Sequence, residues 1–330
     1  MTASNVAKSY GQTPALTAFT TAGLINGDTV GSVTETSPGQ LATAPVIGSP
    51  YAITPSAATG GTFVPANYTI SYVNGVLTVA PVPLTVTASD ATKTYGQTPV
   101  LAAFTTAGLL NGEAVGSVTE TSPGQPATAS VEGSPYAIMA SNATGGTFTP
   151  SNYTIGYVDG KLTVIPATLT VKADNALKFY GQTITLAPTA FTTTGLVNAD
   201  TVTSVNEVSP GTVPTAPVEG SPYPITPSAA AGSYVPSNYS VNYVNGALTV
   251  TPTPLLVTAN DATKSYGDTP ILSGFTTKGL VNEETVGSVT VTSLGTDAGA
   301  SASDITYLVT PSAATGGTFA PSNYEITYES

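Results

Sequence analysis

Lys8-Ser9-Tyr10-Gly11 returns as Lys93-Thr94-Tyr95-Gly96, Lys178-Phe179-Tyr180-Gly181 and Lys264-Ser265-Tyr266-Gly267, its tyrosines 85, 85 and 86 residues apart. Two further markers keep the same period. Pro-x-Asn-Tyr stands at 65–68, 150–153, 236–239 and 321–324, and Leu-Thr-Val at 77–79, 162–164 and 248–250. A period near 85 is longer than the roughly 20–50 residues of a solenoid unit and suits a small domain that folds by itself. The 330 residues therefore divide into four repeats, 1–81, 82–166, 167–252 and 253–330, rather than the two domains that length alone suggests.

Inside a repeat the signals are those of strands. Leu84-Thr85-Val86-Thr87-Ala88 and Tyr68-Thr69-Ile70-Ser71-Tyr72-Val73 alternate at period two. Asn74-Gly75, Asp159-Gly160 and Asn245-Gly246 each separate two such runs, which predicts hairpins through turns that need positive φ. The stretch from Phe19 to Val30, with its Gly-Leu-Ile-Asn-Gly-Asp, is read as the place for one short helix. Proline in Ala80-Pro81-Val82-Pro83, and in its equivalents near 166 and 252, predicts short semi-rigid links and an extended rod roughly 120–160 Å long. Thr2-Ala3-Ser4 aligns with Thr87-Ala88-Ser89, so repeat one is expected to lack its first strand. Repeat four, ending at Tyr328-Glu329-Ser330, is expected to lack its last, as in a piece cut from a longer array.

Composition excludes much chemistry. The chain holds no Cys and no His, its seven basic residues are all lysines, and its net charge is −12. Disulfides, imidazole or thiolate metal sites and Cys–His or Ser–His nucleophile systems are out of reach. The acidic balance argues against nucleic acid and anionic membrane surfaces, and no apolar run suits membrane insertion. An enzyme is not expected.

Leu-Thr-Val-Thr-Ala (84–88), Lys-Thr-Tyr-Gly (93–96), Gly-Leu-Leu-Asn-Gly-Glu (108–113), Asn-Tyr-Thr-Ile (152–155) and Gly-Lys-Leu-Thr-Val (160–164) together resemble the MBG domain of the YGX type. The resemblance covers the whole chain. It implies mostly-β domains of a β-grasp-like (ubiquitin-like) fold, and a place among tandem repeats of large bacterial adhesins, at the cell surface or secreted. It implies no catalytic residue. The function it suggests is a stalk or spacer whose partners are neighbouring repeats of a longer parent chain. The alternative is a weak polysaccharide- or matrix-binding module acting by avidity.

All 17 tyrosines fall on the repeat register, which points to a shared core or domain-junction packing before a glycan-stacking surface. The acids at Asp28, Glu113, Asp200 and Glu284, and at Glu35, Glu120 and Glu207, read as solvated loop charge. Half of the net charge lies in repeat four, where Glu283, Glu284, Asp297 and Asp304 are the candidate calcium ligands; no other cofactor is expected. Lys8, Lys93, Lys178 and Lys264 read as edge-strand lysines that deter strand pairing. The alternative is a Lys–Asn crosslink to Asn67, Asn152, Asn238 and Asn323.

Overall fold

The computed structural model describes residues 1–303 and 306–330. They form two compact units, Met1–Pro166 and Ala167–Ser330. The fold is mostly β: among the described residues the only helical turns are three-residue 3-10 turns.

Repeat two shows the full plan, seven strands in two sheets. Strands one to seven are Val82–Ala88, Ala91–Thr94, Phe104–Ala107, Val115–Thr121, Tyr136–Gly146, Tyr153–Val158 and Gly160–Ile165. One sheet has the order six-one-three, with six parallel to one and three antiparallel to it. The other has the order four-five-seven-two, antiparallel except for the parallel pair of seven with two. Alternation dictates which side chains meet between the sheets. Along strand seven Gly160, Leu162 and Val164 point inward, while Lys161, Thr163 and Ile165 face out. Leu84, Val86, Ile138 and Leu162 are at most 1% exposed. The two layers of repeat two are thus both sheets.

Two local expectations are corrected. The Asn-Gly and Asp-Gly pairs are not hairpin turns, because strands six and seven pair in different sheets. The glycine is needed for close approach. A Cβ on Gly160 would stand 2.6 Å from the Ala88 carbonyl oxygen, and on Gly75 2.6 Å from that of Ala3. A side chain there would push the corner off the neighbouring strand. Nor does Phe19 to Val30 form a helix. Phe19–Thr20 is a short strand, and a turn at Ile25–Asp28 puts Asn26 and Gly27 at φ 54° and 77°. Positive φ at an Asn-Gly pair is turn chemistry and incompatible with helix propagation.

Repeat three has the same seven strands. In repeat one, strand one is only Thr2–Ala3, strand six is reduced to a bridge between Thr2 and Val73, and strand seven, Gly75–Ala80, is intact. In repeat four, strand one runs Thr253–Ala259 and strand six Tyr324–Glu329, but no strand among the described residues takes position two or seven. One proline, Pro81 or Pro252, separates strand seven of one repeat from strand one of the next within each unit.

Candidate functional site

The residues that recur most faithfully meet where two repeats join. In the first unit the turn after strand two of repeat one carries Tyr10, and the Lys-x-Tyr-Gly motif sends it into repeat two. The Tyr10 ring, 3% exposed, packs edge-to-face on Tyr153 with centroids 5.7 Å apart. Its hydroxyl donates to Glu113 Oε1 at 2.9 Å. Tyr153 donates to the other oxygen of the same carboxylate and accepts from the Leu110 N–H at 3.1 Å. One carboxylate therefore holds two phenols from two repeats.

The Pro-x-Asn-Tyr motif builds the receiving side. Pro150–Asn152 is a single 3-10 turn with proline at its start, where a missing N–H costs nothing. The turn aims Asn152 at repeat one, and its Oδ1 accepts from the Val46 N–H at 2.9 Å. The Asn111 amide reaches the Ala42 carbonyl at 3.4 Å. Buried Ile53, Leu77 and Val79 of repeat one and Leu84, Val86, Phe148 and Tyr153 of repeat two form one continuous cluster.

The second unit repeats the joint with other neighbours. Tyr180 meets Tyr324 at 5.7 Å and donates to Glu284 Oε1 at 2.6 Å, while Tyr324 donates to Glu284 Oε2. The Val218 N–H donates to Asn323 Oδ1 at 2.9 Å, and the Asn282 amide to the Pro214 carbonyl at 3.2 Å.

Burial, then the adjacent carboxylate, raises the pKa of these phenols; Tyr153 is pushed up to about 12, and Tyr10, Tyr180 and Tyr324 move the same way. The neutral phenol is the form a carboxylate needs as a donor.

Tyr10, Tyr153, Tyr180 and Tyr324 thus serve junction packing, whereas Tyr266 is 72% exposed. The tyrosines equivalent to Tyr72 reach back to strand five, where Ala58, Ala143, Ala230 and Ala314 N–H groups donate to the hydroxyls of Tyr72, Tyr157, Tyr243 and Tyr328 at 2.8–2.9 Å. Each N–H follows a residue at positive φ (Ala57, Asn142, Ala229, Ala313), so the hydroxyl satisfies a donor freed by a kink in the strand.

The acids are not solvated loop charge. Glu113 and Glu284 hold the joints, and Asp28 accepts from the Tyr68 hydroxyl at 2.7 Å in repeat one. Glu35, Glu120 and Glu207 each keep Oε1 buried without a hydrogen bond, and desolvation raises their pKa. Repeat four has Val291 in place of this acid, a side chain with no carboxylate to desolvate.

The lysines are corrected too. Lys8, Lys93 and Lys178 lie on an edge strand but point inward, 2–4% exposed. Lys178 donates to the carbonyls of Gln182 (2.9 Å) and Val213, and Lys93 to those of Gln97 (3.0 Å) and Pro126. Desolvation lowers their pKa. The Lys–Asn crosslink finds no support here, because Asn152 and Asn323 spend Oδ1 across the joints while the lysines bind carbonyls.

Of the candidate calcium ligands, Asp304 lies outside the described residues and Glu284 is held by two phenols. Among the described residues no three His, Cys, Asp or Glu side chains converge as a metal site. No helix among them is long and apolar enough to cross a membrane.

Small two-sheet β domains joined through a shared carboxylate define a tandem-repeat protein. The MBG domain (YGX type) family matches residues 1–78, 84–163, 169–249 and 255–330, and the chain belongs to that family. No curated protein matches the chain.

Proposed function

We propose that the chain is a non-catalytic structural spacer, a run of stalk repeats in a bacterial surface or secreted adhesin that holds a binding region away from the cell. The observation that carries this reading is the joint, because the side chains repeated most strictly are spent on coupling one domain to the next. A binding module repeats the groups that face its ligand. Here Tyr10, Glu113, Asn152 and Tyr153, with their counterparts in the second unit, face a neighbouring repeat.

The test is to probe the full chain against an array of polysaccharides and matrix proteins. A spacer gives no saturable signal. Saturable binding that falls when the half-exposed Tyr72, Tyr157, Tyr243 and Tyr328 are changed to alanine would favour the avidity module instead.

A further inference from the structure

Two segments far apart in the sequence of repeat two lie side by side at one constant offset. Tyr153 is opposite Val82 and Val158 opposite Thr87 in one sheet, and Leu162 is opposite Ala91 and Ile165 opposite Thr94 in the other. The offset is 71 residues throughout, and it holds at the corner, where the Lys161 N–H donates to Asp90 Oδ1 at 2.7 Å. Past the last pair the Tyr95 N–H donates to the Ile165 carbonyl at 2.9 Å. Repeat three keeps the arrangement at an offset of 72, from Ala167 and Tyr239 to Phe179 and Thr251, with the Ala247 N–H on Asn175 Oδ1 at its corner. Strands one and two on one side, and six and seven on the other, therefore form a single parallel ribbon that passes from one sheet into the next.

The points where the chain enters and leaves that ribbon decide what tension does to it. Strand one begins at Val82, directly after Pro81, and strand seven ends at Ile165, directly before Pro166. Tension carried along the array thus arrives at the start of one segment and departs from the end of the other. Because the segments are parallel, these points lie at opposite ends of the ribbon, and a pull slides one segment along the other. Six register pairs in one sheet and four in the other then share the load. An antiparallel pair of terminal strands would be loaded at one end and would open rung by rung. Sliding also drags Leu84, Val86, Leu162 and Val164, each at most 2% exposed, across the core.

We propose that this ribbon is a shear clamp, which makes repeats two and three load-bearing elements that keep their length under tension. The inference rests on the spacer reading for the source of the load, while the clamp itself is a property of strand direction.

The test is single-molecule pulling on the full chain in two directions. The chain has no cysteine of its own, so thiol handles can be placed at will. Pro81→Cys with Pro166→Cys loads the ribbon of repeat two from opposite ends, and Thr98→Cys with Pro166→Cys loads it from one end. All three positions are exposed, so both variants should match the unsubstituted chain in chemical denaturation. At one loading rate, pulling from opposite ends should rupture the repeat in a single step, at a force at least about twofold above that for pulling from one end. Equal forces, a weaker response from opposite ends, or gradual opening in that direction would each overturn the proposal. Saturable binding on the array of polysaccharides and matrix proteins would remove the spacer reading and leave this ratio unchanged, so the two fail separately.

Discussion

Repeats three and four lie in one compact unit and carry the same Lys-x-Tyr-Gly motif, yet its side chains meet opposite fates. Lys178 and Tyr180 are 2% and 4% exposed, whereas Tyr266 is 72% exposed. The lysine in both repeats donates to two carbonyls, so the local turn forms either way. What repeat three adds is strand seven alongside the motif, and repeat four beyond it to receive the tyrosine. The motif shapes a turn by itself, and burial comes from a strand and a neighbour far away in sequence.

The largest expected effect breaks that contrast at the tyrosine. Tyr180→Ala should destabilise the second unit by about 3–5 kcal/mol, and Tyr266→Ala should stay within about 0.5 kcal/mol, read by chemical denaturation. Leu248→Ala empties the strand-seven slot and should cost about 2–5 kcal/mol. Hydrogen exchange at 178–180 should then rise toward the rate at 264–266. High pH acts on the joints. Their folded phenol pKa values lie above the unfolded value near 10, so the stabilisation is complete below about pH 10 and is lost as pH rises through about 12, the value for Tyr153. Joint tyrosines should therefore be the late component of a phenolate absorbance titration. The smallest effect makes repeat three resemble repeat four. Glu207→Val removes a carboxyl oxygen buried without a partner and should stabilise by about 1 kcal/mol at neutral pH, read as a rise in Tm.

The four-fold period and the strand content were legible because both are written in short-range order. Alternation at Leu84–Ala88 and the phase of Lys-x-Tyr-Gly require no knowledge of partners. The strands around Asp159-Gly160 were legible too, but not their pairing. A glycine chosen for close approach to Ala88 looks the same in sequence as one chosen for positive φ. The joint was legible only as register. Tyr10 lies 103 residues from Glu113, and loop acids ordinarily are solvated. One signal was present: an acid sits 39 or 40 residues before the Pro-x-Asn-Tyr tyrosine in every repeat. A constant offset between an acid and a phenol marks a hydrogen bond better than either residue alone. The lysines misled because solvation is the ordinary fate of an ammonium, and a cradle of backbone carbonyls leaves no trace in side-chain pattern.

The central claim is that adjacent repeats are energetically coupled through one carboxylate shared by two phenols. A double-mutant cycle with Tyr180→Phe and Glu284→Gln, measured on the full chain by denaturant unfolding and located by hydrogen exchange at the Val281 amide, tests it most directly. A coupling energy of about 1–3 kcal/mol is expected, with faster exchange in repeat four when only Tyr180, in repeat three, is changed. Additive effects within about 0.3 kcal/mol, with exchange altered in repeat three alone, would contradict it.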